Sequence, residues 1–553
     1  MKLTGAEILA HILIEQGATT VFGYPGGAVL PIYDALYRHR DEIFHHITAH
    51  EQGASHAADG YARATGKTGV VIATSGPGAT NLVTGITTAY MDSVPMVAIT
   101  GNVGSSLIGK DSFQEVYTMG ITMPITKHNY MVRRVEDLAD TLRAAFSIAG
   151  SGRKGPVLVD ITKDAQIAEC DFTPGPAFAE QKPPFHNDEE IWEIVRYLGR
   201  SSRPLICFGG VVTSRGAAQE LYDEVHKGQI PAVHTIMGTG VLSWDDSLNV
   251  GLVGMHGQLS GNKALDSADL ILAVGFRFSD RVALNTGRFG HRAKIVQIEI
   301  DPSEVNKNVK VDHAVVGDIQ LILQQVLPML EQSNHDAWLQ EIAEWKKQDL
   351  HPQNSKTELK PHEIIDIISE TAGHDAVLVT DVGQHQMWAV QYCRRTRPRS
   401  FITSGGLGTM GFGYGAAIGA KLGVGGRHVI HITGDGSFHM NMNEVCTAVS
   451  YKLPVITVIM NNQVLGMVRQ WQKSFYDARY SSTTLERKTD YVKVAEGFGA
   501  TGYRVTTPEE FRRAMEKALQ SSGPVWIECV IGMDEKVLPF IPAGCTVDDI
   551  ILD

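Results

Sequence analysis

The chain has 553 residues, of which 43% are hydrophobic and 20% charged. That is the composition of a globular protein of about three domains, not of a disordered or fibrous one. Lys and Arg number 49 against 61 Asp and Glu, a formal charge of −12 with no basic run, which argues against a nucleic-acid partner; no apolar run approaches the ~20 residues of a membrane span.

The N-terminal MKLTGAEILAHILIEQG carries charge within an amphipathic helical pattern and lacks the apolar region and cleavage site of a signal peptide. A soluble cytoplasmic protein, or one already processed, is expected. Cys170, Cys207, Cys393, Cys446, Cys529 and Cys545 are scattered without CxxC spacing, so they read as free thiols of a reducing compartment and not as a zinc site. The 56 glycines gather in short loops without a period, which suits many tight turns, some meeting phosphates.

Strand-like runs follow one another along the chain: GVVIATSG (69–76), PMVAITG (95–101), PVLVDIT (156–162), PLICFGG (204–210), LILAVG (270–275), KIVQIEID (294–301), HVIHITGDG (428–436) and PVITVIMNN (454–462). They are rich in Val and Ile and apolar on both faces, as in parallel sheets covered by helices on each side. The expected fold is α/β, with three doubly wound parallel-sheet domains. Two polar, proline-bearing stretches, 173–190 and 346–363, read as linkers. They divide the chain into 1–175, 190–345 and 365–535, with a tail at 536–553.

The most specific signal is GDGSFHMNMNEVCTAVSYKLPVITVIMNN (434–462). It reads as strand, turn, a helix over about 442–451, and a second strand ending at Asn461-Asn462. A right-handed crossover puts both strand tips on one sheet edge, so Asp435 and Asn462 converge. Hard oxygen ligands of this kind suit Mg²⁺ shared with phosphates. Gly436 and Ser437 bring backbone N–H groups and a helix N-terminus to the same spot. GDG alone is an ordinary turn; GDGS with NN at this spacing is the metal–diphosphate signature of thiamine diphosphate (ThDP) enzymes. In the first domain, AHEQGASHAADGYARATGK (49–67) sets Glu51 at a strand-to-helix junction. A helix N-terminus favours a Glu for its dipole alone; a ThDP enzyme also needs a carboxyl group beside N1′ of the aminopyrimidine. Gly406-x-Gly408-x-x-Gly411 is formally a dinucleotide fingerprint, weak by itself.

With VFGYPGGAVLPIYDAL, TSGPGATNLVTGI, DSFQEV, PITKHNY, GMHG, TDVGQHQMW, TSGGLGTMGFG and NNQVLGMVRQWQ in the same order, nearly the whole chain resembles the catalytic large subunit of the acetolactate (acetohydroxyacid) synthase family. The resemblance implies ThDP, Mg²⁺ and a non-redox FAD. It implies decarboxylation of pyruvate and transfer of the two-carbon unit to a second 2-ketoacid, pyruvate or 2-ketobutyrate, at the head of branched-chain amino acid synthesis. It assigns Glu51, Phe113, Gln114 and Lys163 to catalysis. Gly26, Val382, Gly383, Gln384, His385, Gly408, Met410, Gly434, Gly436, Ser437 and Met467 are assigned to ThDP. Asp435, Asn462 and the Val464 carbonyl fall to the metal, and Val468 and Trp471 to the acceptor pocket. Arg153, Gly210, His256, Gly257, Gly275, Arg277, Arg281, Asp301 and Asp318 are the implied FAD contacts. The chain departs from the family at RKGP (153–156), ITKD (161–164) and FSDR (278–281), where RPGP, IPKD and FDDR are usual. A homodimer or tetramer is implied, with Phe113 and Gln114 reaching a neighbouring subunit's cofactor, together with a small regulatory subunit. Rival readings are another ThDP enzyme (a 2-ketoacid decarboxylase or a pyruvate oxidase), a non-catalytic binding protein, and an NAD dehydrogenase on Gly406–Gly411.

Overall fold

A computed structural model describes residues 1–180, 182 and 187–553; part of the first expected linker therefore lies outside the described residues. The α/β expectation holds: three six-stranded parallel sheets are interleaved with helices. Along the first sheet the strands run Phe44–Ile47, Thr20–Tyr24, Gly69–Ala73, Met96–Asn102, Pro156–Thr162, His128–Val132. The third repeats that connectivity with Phe401–Ile402, Val377–Thr380, Val429–Gly434, Val455–Asn461, Val525–Val530, Thr501–Val505. The central sheet differs: Asn249–Leu252, Ala232–His234, Pro204–Phe208, Leu270–Val274, Lys294–Glu299, His313–Val316. Numbered within its own domain, this order is 3-2-1-4-5-6, the dinucleotide-binding arrangement, with its crevice where the order reverses.

Central strands such as Pro156–Thr162 and Val455–Asn461 are buried at every position, which is why they read as unbroken apolar runs. Edge strands such as Phe44–Ile47 and Thr501–Val505 alternate or face solvent and carry little pattern. The N-terminal helix, Gly5–Glu15, is capped by the Thr4 hydroxyl and buries one apolar face. The helix expected over about 442–451 is present: a one-turn segment, Met442–Glu444, runs directly into Val445–Ser450, and a separate short helical turn, Asp435–Phe438, precedes it at the Asp itself.

The first and third domains of one chain meet along the helices Glu51–Thr65 and Phe412–Val424. Small residues allow backbone contact there: a Cβ on Gly60 would stand 2.1 Å from the Ala416 carbonyl oxygen, and one on Gly419 1.8 Å from that of Ala57. A buried ionic cluster locks the same seam. Arg63 pairs with Asp59 and Asp92 and donates to the Thr403 carbonyl. Asp92 in turn accepts the backbone N–H groups of Gly405 and Gly406 at 3.0 and 2.7 Å. Within the formal GxGxxG loop the Gly406 amide is thus taken by a protein carboxylate and the Gly411 amide by the Ser437 hydroxyl, which counts against reading it as a dinucleotide cradle.

The tail ties the central and third domains together. Ile541 N–H bonds the Met255 carbonyl at 2.8 Å, Gly544 N–H that of Leu284 at 3.0 Å, and Gln470 makes two bonds to the Val537 backbone. All six cysteines are free. Among the described residues no helix is long and apolar enough to cross a membrane.

Candidate active site

Strands Val429–Gly434 and Val455–Asn461 pair in parallel, with Gly434 opposite Met460. Their carboxyl ends therefore bring Asp435 and Asn462 together across the sequence that separates them. The Asp435 carboxylate is buried and accepts the Asn462 backbone N–H. Burial raises its pKa from 3.8 to about 6, as for an anion awaiting a counter-charge. The Asn462 Oδ1 accepts the Val464 N–H at 3.3 Å. Val464 faces Thr484 in an antiparallel bridge whose hydrogen bonds run from Leu465 N–H to the Thr483 carbonyl and from Leu485 N–H to that of Gln463. That pattern leaves the Val464 carbonyl outside the ladder. Carboxylate, amide and carbonyl oxygens in this arrangement fit a hard divalent cation with open positions for phosphate and water.

Beside them lies His385, in the helix Gln384–Tyr392. Burial pushes its imidazole down to about 4, and its Nε2 is buried without a partner. A Cβ on Gly434 would fall 2.9 Å from its Nδ1, so only glycine leaves that cradle open. With Nδ1 bonded to the Asp381 backbone, the unpartnered Nε2 donates to a phosphate oxygen once the ring is protonated, the phosphate's charge opposing the burial that keeps it neutral. Gln384 is a brace: its amide donates to Gln470 Oε1 at 3.0 Å and to the Glu535 carbonyl at 2.8 Å, while its Oε1 accepts from Asn462. Ser437 is also engaged, its Oγ accepting the Gly411 N–H at 3.1 Å. Gly436 packs toward Leu465, where a Cβ would stand 2.7 Å from its Cδ2. Behind this loop Asp381 is held down at about 2: despite burial, the His431 ring and the Gly413 N–H stabilise its charge.

A cavity of about 1100 Å³ lies where the three domains meet. Val382, Gly383, Gly408, Met467, Val468 and Trp471 line its third-domain side. Gly210, His256, Gly275, Arg277 and Arg281 line the central-domain side, at the crevice of the 3-2-1-4-5-6 sheet, and Arg153 reaches it from the first domain. Met467, Val468 and Trp471 lie on the helix Gly466–Phe475, and the Trp471 ring meets Phe540 of the tail edge-on at 5.6 Å. Phe540 also stacks on His256. Met410 is half-buried beside the cavity but is not among its lining residues.

Three implied FAD contacts stand elsewhere. Asp318 caps the helix Ile319–Met329 and pairs with Arg215 and Lys182. Gly257 is packed against the Leu252 carbonyl. Asp301 caps the turn Pro302–Glu304 and pairs with Arg153 at 3.1 Å, outside the cavity wall. Of the acidic groups that line the cavity (Asp92, Asp280, Glu299 and Glu304), Glu299 stands at the tip of its strand; burial raises it to about 7 and its Oε2 has no partner. Sequence reading passed over it because EID offers two acids and only the strand register says which one reaches the crevice. An unpartnered Glu299 oxygen, an unpartnered His256 Nδ1 and the cation set fit a dinucleotide.

Glu51 is the first residue of the helix Glu51–Thr65, and its Oε2 accepts from the Asn81 amide at 2.9 Å. Asn81 lies in TSGPGATNLVTGI, where spacing along the chain gives it no role. Gln114, at φ 59°, packs on Gly76, and Gly78 of the same loop approaches Glu51. Gly26 lies against Thr74, with no room for a Cβ. Glu115 ties down the backbone of Gly109, Lys110 and Ser112, and Phe113 projects from that loop 88% exposed. Lys163 is exposed at the start of Lys163–Ile167. None of Gly26, Glu51, Phe113, Gln114 or Lys163 lines the cavity. Apart from this region, Glu7, His11 and His39 converge within 4.8 Å, but Arg38 already neutralises Glu7. That cluster reads as a stitch between two helices.

Residues 3–121, 191–326 and 381–529 match, in turn, the families described as the N-terminal TPP binding domain, the central domain and the C-terminal TPP binding domain of thiamine pyrophosphate enzymes. The chain is 42% identical over 565 residues to a probable acetolactate synthase large subunit of Methanocaldococcus jannaschii, covering 99% of this chain and 95% of that one. It is 44% identical over 559 residues to the acetolactate synthase large subunit of Parasynechococcus marenigrum, covering 98% and 90%. The chain belongs to the acetolactate synthase large-subunit family of thiamine pyrophosphate enzymes. Another large subunit of that name, isozyme 2 of Escherichia coli, is 42% identical over 547 residues, covering 98% of each chain. Matches over essentially full length to acetolactate synthases set aside the decarboxylase, oxidase and dehydrogenase readings.

Proposed function

We propose that the enzyme decarboxylates pyruvate and joins the retained two-carbon unit to a second 2-ketoacid, forming 2-acetolactate from pyruvate or 2-aceto-2-hydroxybutyrate from 2-ketobutyrate. The observation that carries this reading is the meeting of Asp435, Asn462 and the unpartnered His385 nitrogen at two adjacent strand tips. ThDP bound there supplies a nucleophilic carbon and an electron sink for loss of CO₂. Asp435, Asn462 and the Val464 carbonyl hold Mg²⁺, and His385 with the Gly434 and Gly436 backbone receives the diphosphate. Glu51 holds a proton at N1′ of the aminopyrimidine. Val382, Gly408 and Met467 exclude water at the cavity mouth, with Met410 behind them, and Trp471 with Val468 shapes the acceptor pocket. Arg153, Gly210, His256, Gly275, Arg277 and Arg281 hold FAD, which serves structure because the net reaction transfers no electrons.

Glu51 and Phe113 lie off the cavity wall of their own chain, which supports a homodimer in which they serve the partner's cofactor. Dimers pairing to tetramers and association with a small regulatory subunit, as the relatives' name "large subunit" suggests, belong to the same proposal, as does a cytoplasmic setting. The test is product identification with purified protein, ThDP, Mg²⁺ and pyruvate alone. Acetolactate is expected; acetaldehyde or acetyl phosphate as the main product overturns the reading.

A further inference from the structure

We propose that Glu444 is the positioning residue for Glu51, linking the loop that presents the pyrimidine activator to the diphosphate-binding segment of the same chain. This rests on the roles given above to Glu51 and Asp435. Glu444 is fully buried at the end of the turn Met442–Glu444, on the segment that begins at Asp435. Its carboxylate accepts three hydrogen bonds. The Ala49 N–H reaches Oε2 at 3.1 Å, the His50 N–H reaches Oε1 at 3.0 Å, and the Thr447 hydroxyl donates to Oε2 at 2.7 Å. Tyr451, just beyond, accepts the Ile47 N–H through its hydroxyl at 2.8 Å. The third domain therefore grips the backbone immediately before Glu51.

The grip is specific to a carboxylate. A helix N-terminus leaves its first N–H groups without intrahelical partners and attracts anions. His50 satisfies one of them, its Nδ1 accepting the Gln52 N–H at 3.0 Å. Glu444 occupies the N–H groups just upstream, so Glu51 need not turn back on its own helix end. Its carboxylate is held by Asn81 instead. Gly53 completes the fit: a Cβ there would stand 2.1 Å from Glu444 Oε1, so no other residue at 53 tolerates the carboxylate in place. Glu51 needs correct placement more than mere presence, because a 1 Å error in a catalytic group costs about 100-fold in rate.

The experiment measures exchange of the C2 proton of bound ThDP into D₂O, by acid quench and proton NMR, at saturating ThDP and Mg²⁺. Glu444→Gln places an amide NH₂ against a backbone N–H or the Thr447 hydroxyl. It is expected to slow exchange about 10- to 100-fold while the Mg²⁺-dependent Kd for ThDP stays within about threefold. Gly53→Ala, which displaces the carboxylate without removing it, is expected to give the same defect, and Glu444→Asp an intermediate one. Wild-type exchange in any folded variant of these overturns the proposal. So does a defect that vanishes when ThDP is raised, since that would be an affinity effect. Glu51→Gln is the control: normal exchange there would overturn the role of Glu51 itself, separately from that of Glu444.

Discussion

At Glu51 the chemistry needs a carboxyl group that both persists in its place and exchanges a proton. The helix N-terminus and the Asn81 amide supply the first. Glu51→Gln keeps the shape and one acceptor but removes the titratable proton. Turnover should fall about 10²–10⁴-fold, with ThDP affinity and melting temperature close to wild type; a smaller loss than tenfold would count against the role. Glu224 presents the opposite case. It is fully buried, neither of its oxygens has a partner among the described residues, and burial raises it from 4.5 to about 8. Between those values the folded state keeps its proton while the unfolded chain releases it, so this group's contribution is intact below pH 4.5 and is lost as pH rises through about 8. Glu224→Gln should raise the melting temperature at pH 8 and make no difference at pH 4.5, as read by scanning calorimetry across that range. A constant difference at all pH values would show that the carboxyl is not the cause.

At the scale of elements, the helix that begins with Glu51 is held along its length by the third domain. The contact is made by glycines and alanines facing one another, so it tolerates little added volume. Gly60→Ala puts a methyl group 2.1 Å from the Ala416 carbonyl oxygen. A backbone shift must follow, costing about 1–3 kcal/mol, and because the same helix carries Glu51 the C2 exchange rate should drop with stability. Equilibrium unfolding in urea, run with and without ThDP, checks both. Unchanged stability would mean that the two helices part more easily than their packing indicates. The helical segment Met442–Ser450 belongs to this scale too: it stands where the sequence expects it, and from its first turn Glu444 reaches Ala49 and His50.

For the whole molecule, the decisive question is which chain's Glu51 serves which chain's Asp435. Mixing inactive Glu51→Gln and Asp435→Ala subunits and letting them exchange answers it. If each site is shared between partners, half the dimers are mixed and each has one intact and one doubly defective site, so activity should recover to about a quarter of wild type. If both residues served one chain's site, no recovery would occur.

Much of this was open to inspection in the amino-acid sequence, and the reason is local. Buried central strands must be apolar on both faces, and glycine-bearing strand ends before helices mark phosphate loops. The tips at Asp435 and Asn462 belong to one βαβ unit whose handedness is set by chain chirality. Their convergence therefore followed without coordinates. Edge strands such as Phe44–Ile47 and the short pair Phe401–Ile402 were not legible, because half-exposed backbone pairing leaves little hydrophobic pattern. Contacts between distant segments were equally hidden. Only the tertiary structure decides that Asp92 fills the Gly405–Gly406 loop, that Glu299 and not Asp301 reaches the crevice, and that Glu444 grips the approach to Glu51. Each depends on register and side-chain direction across domains, which no spacing along a single chain encodes.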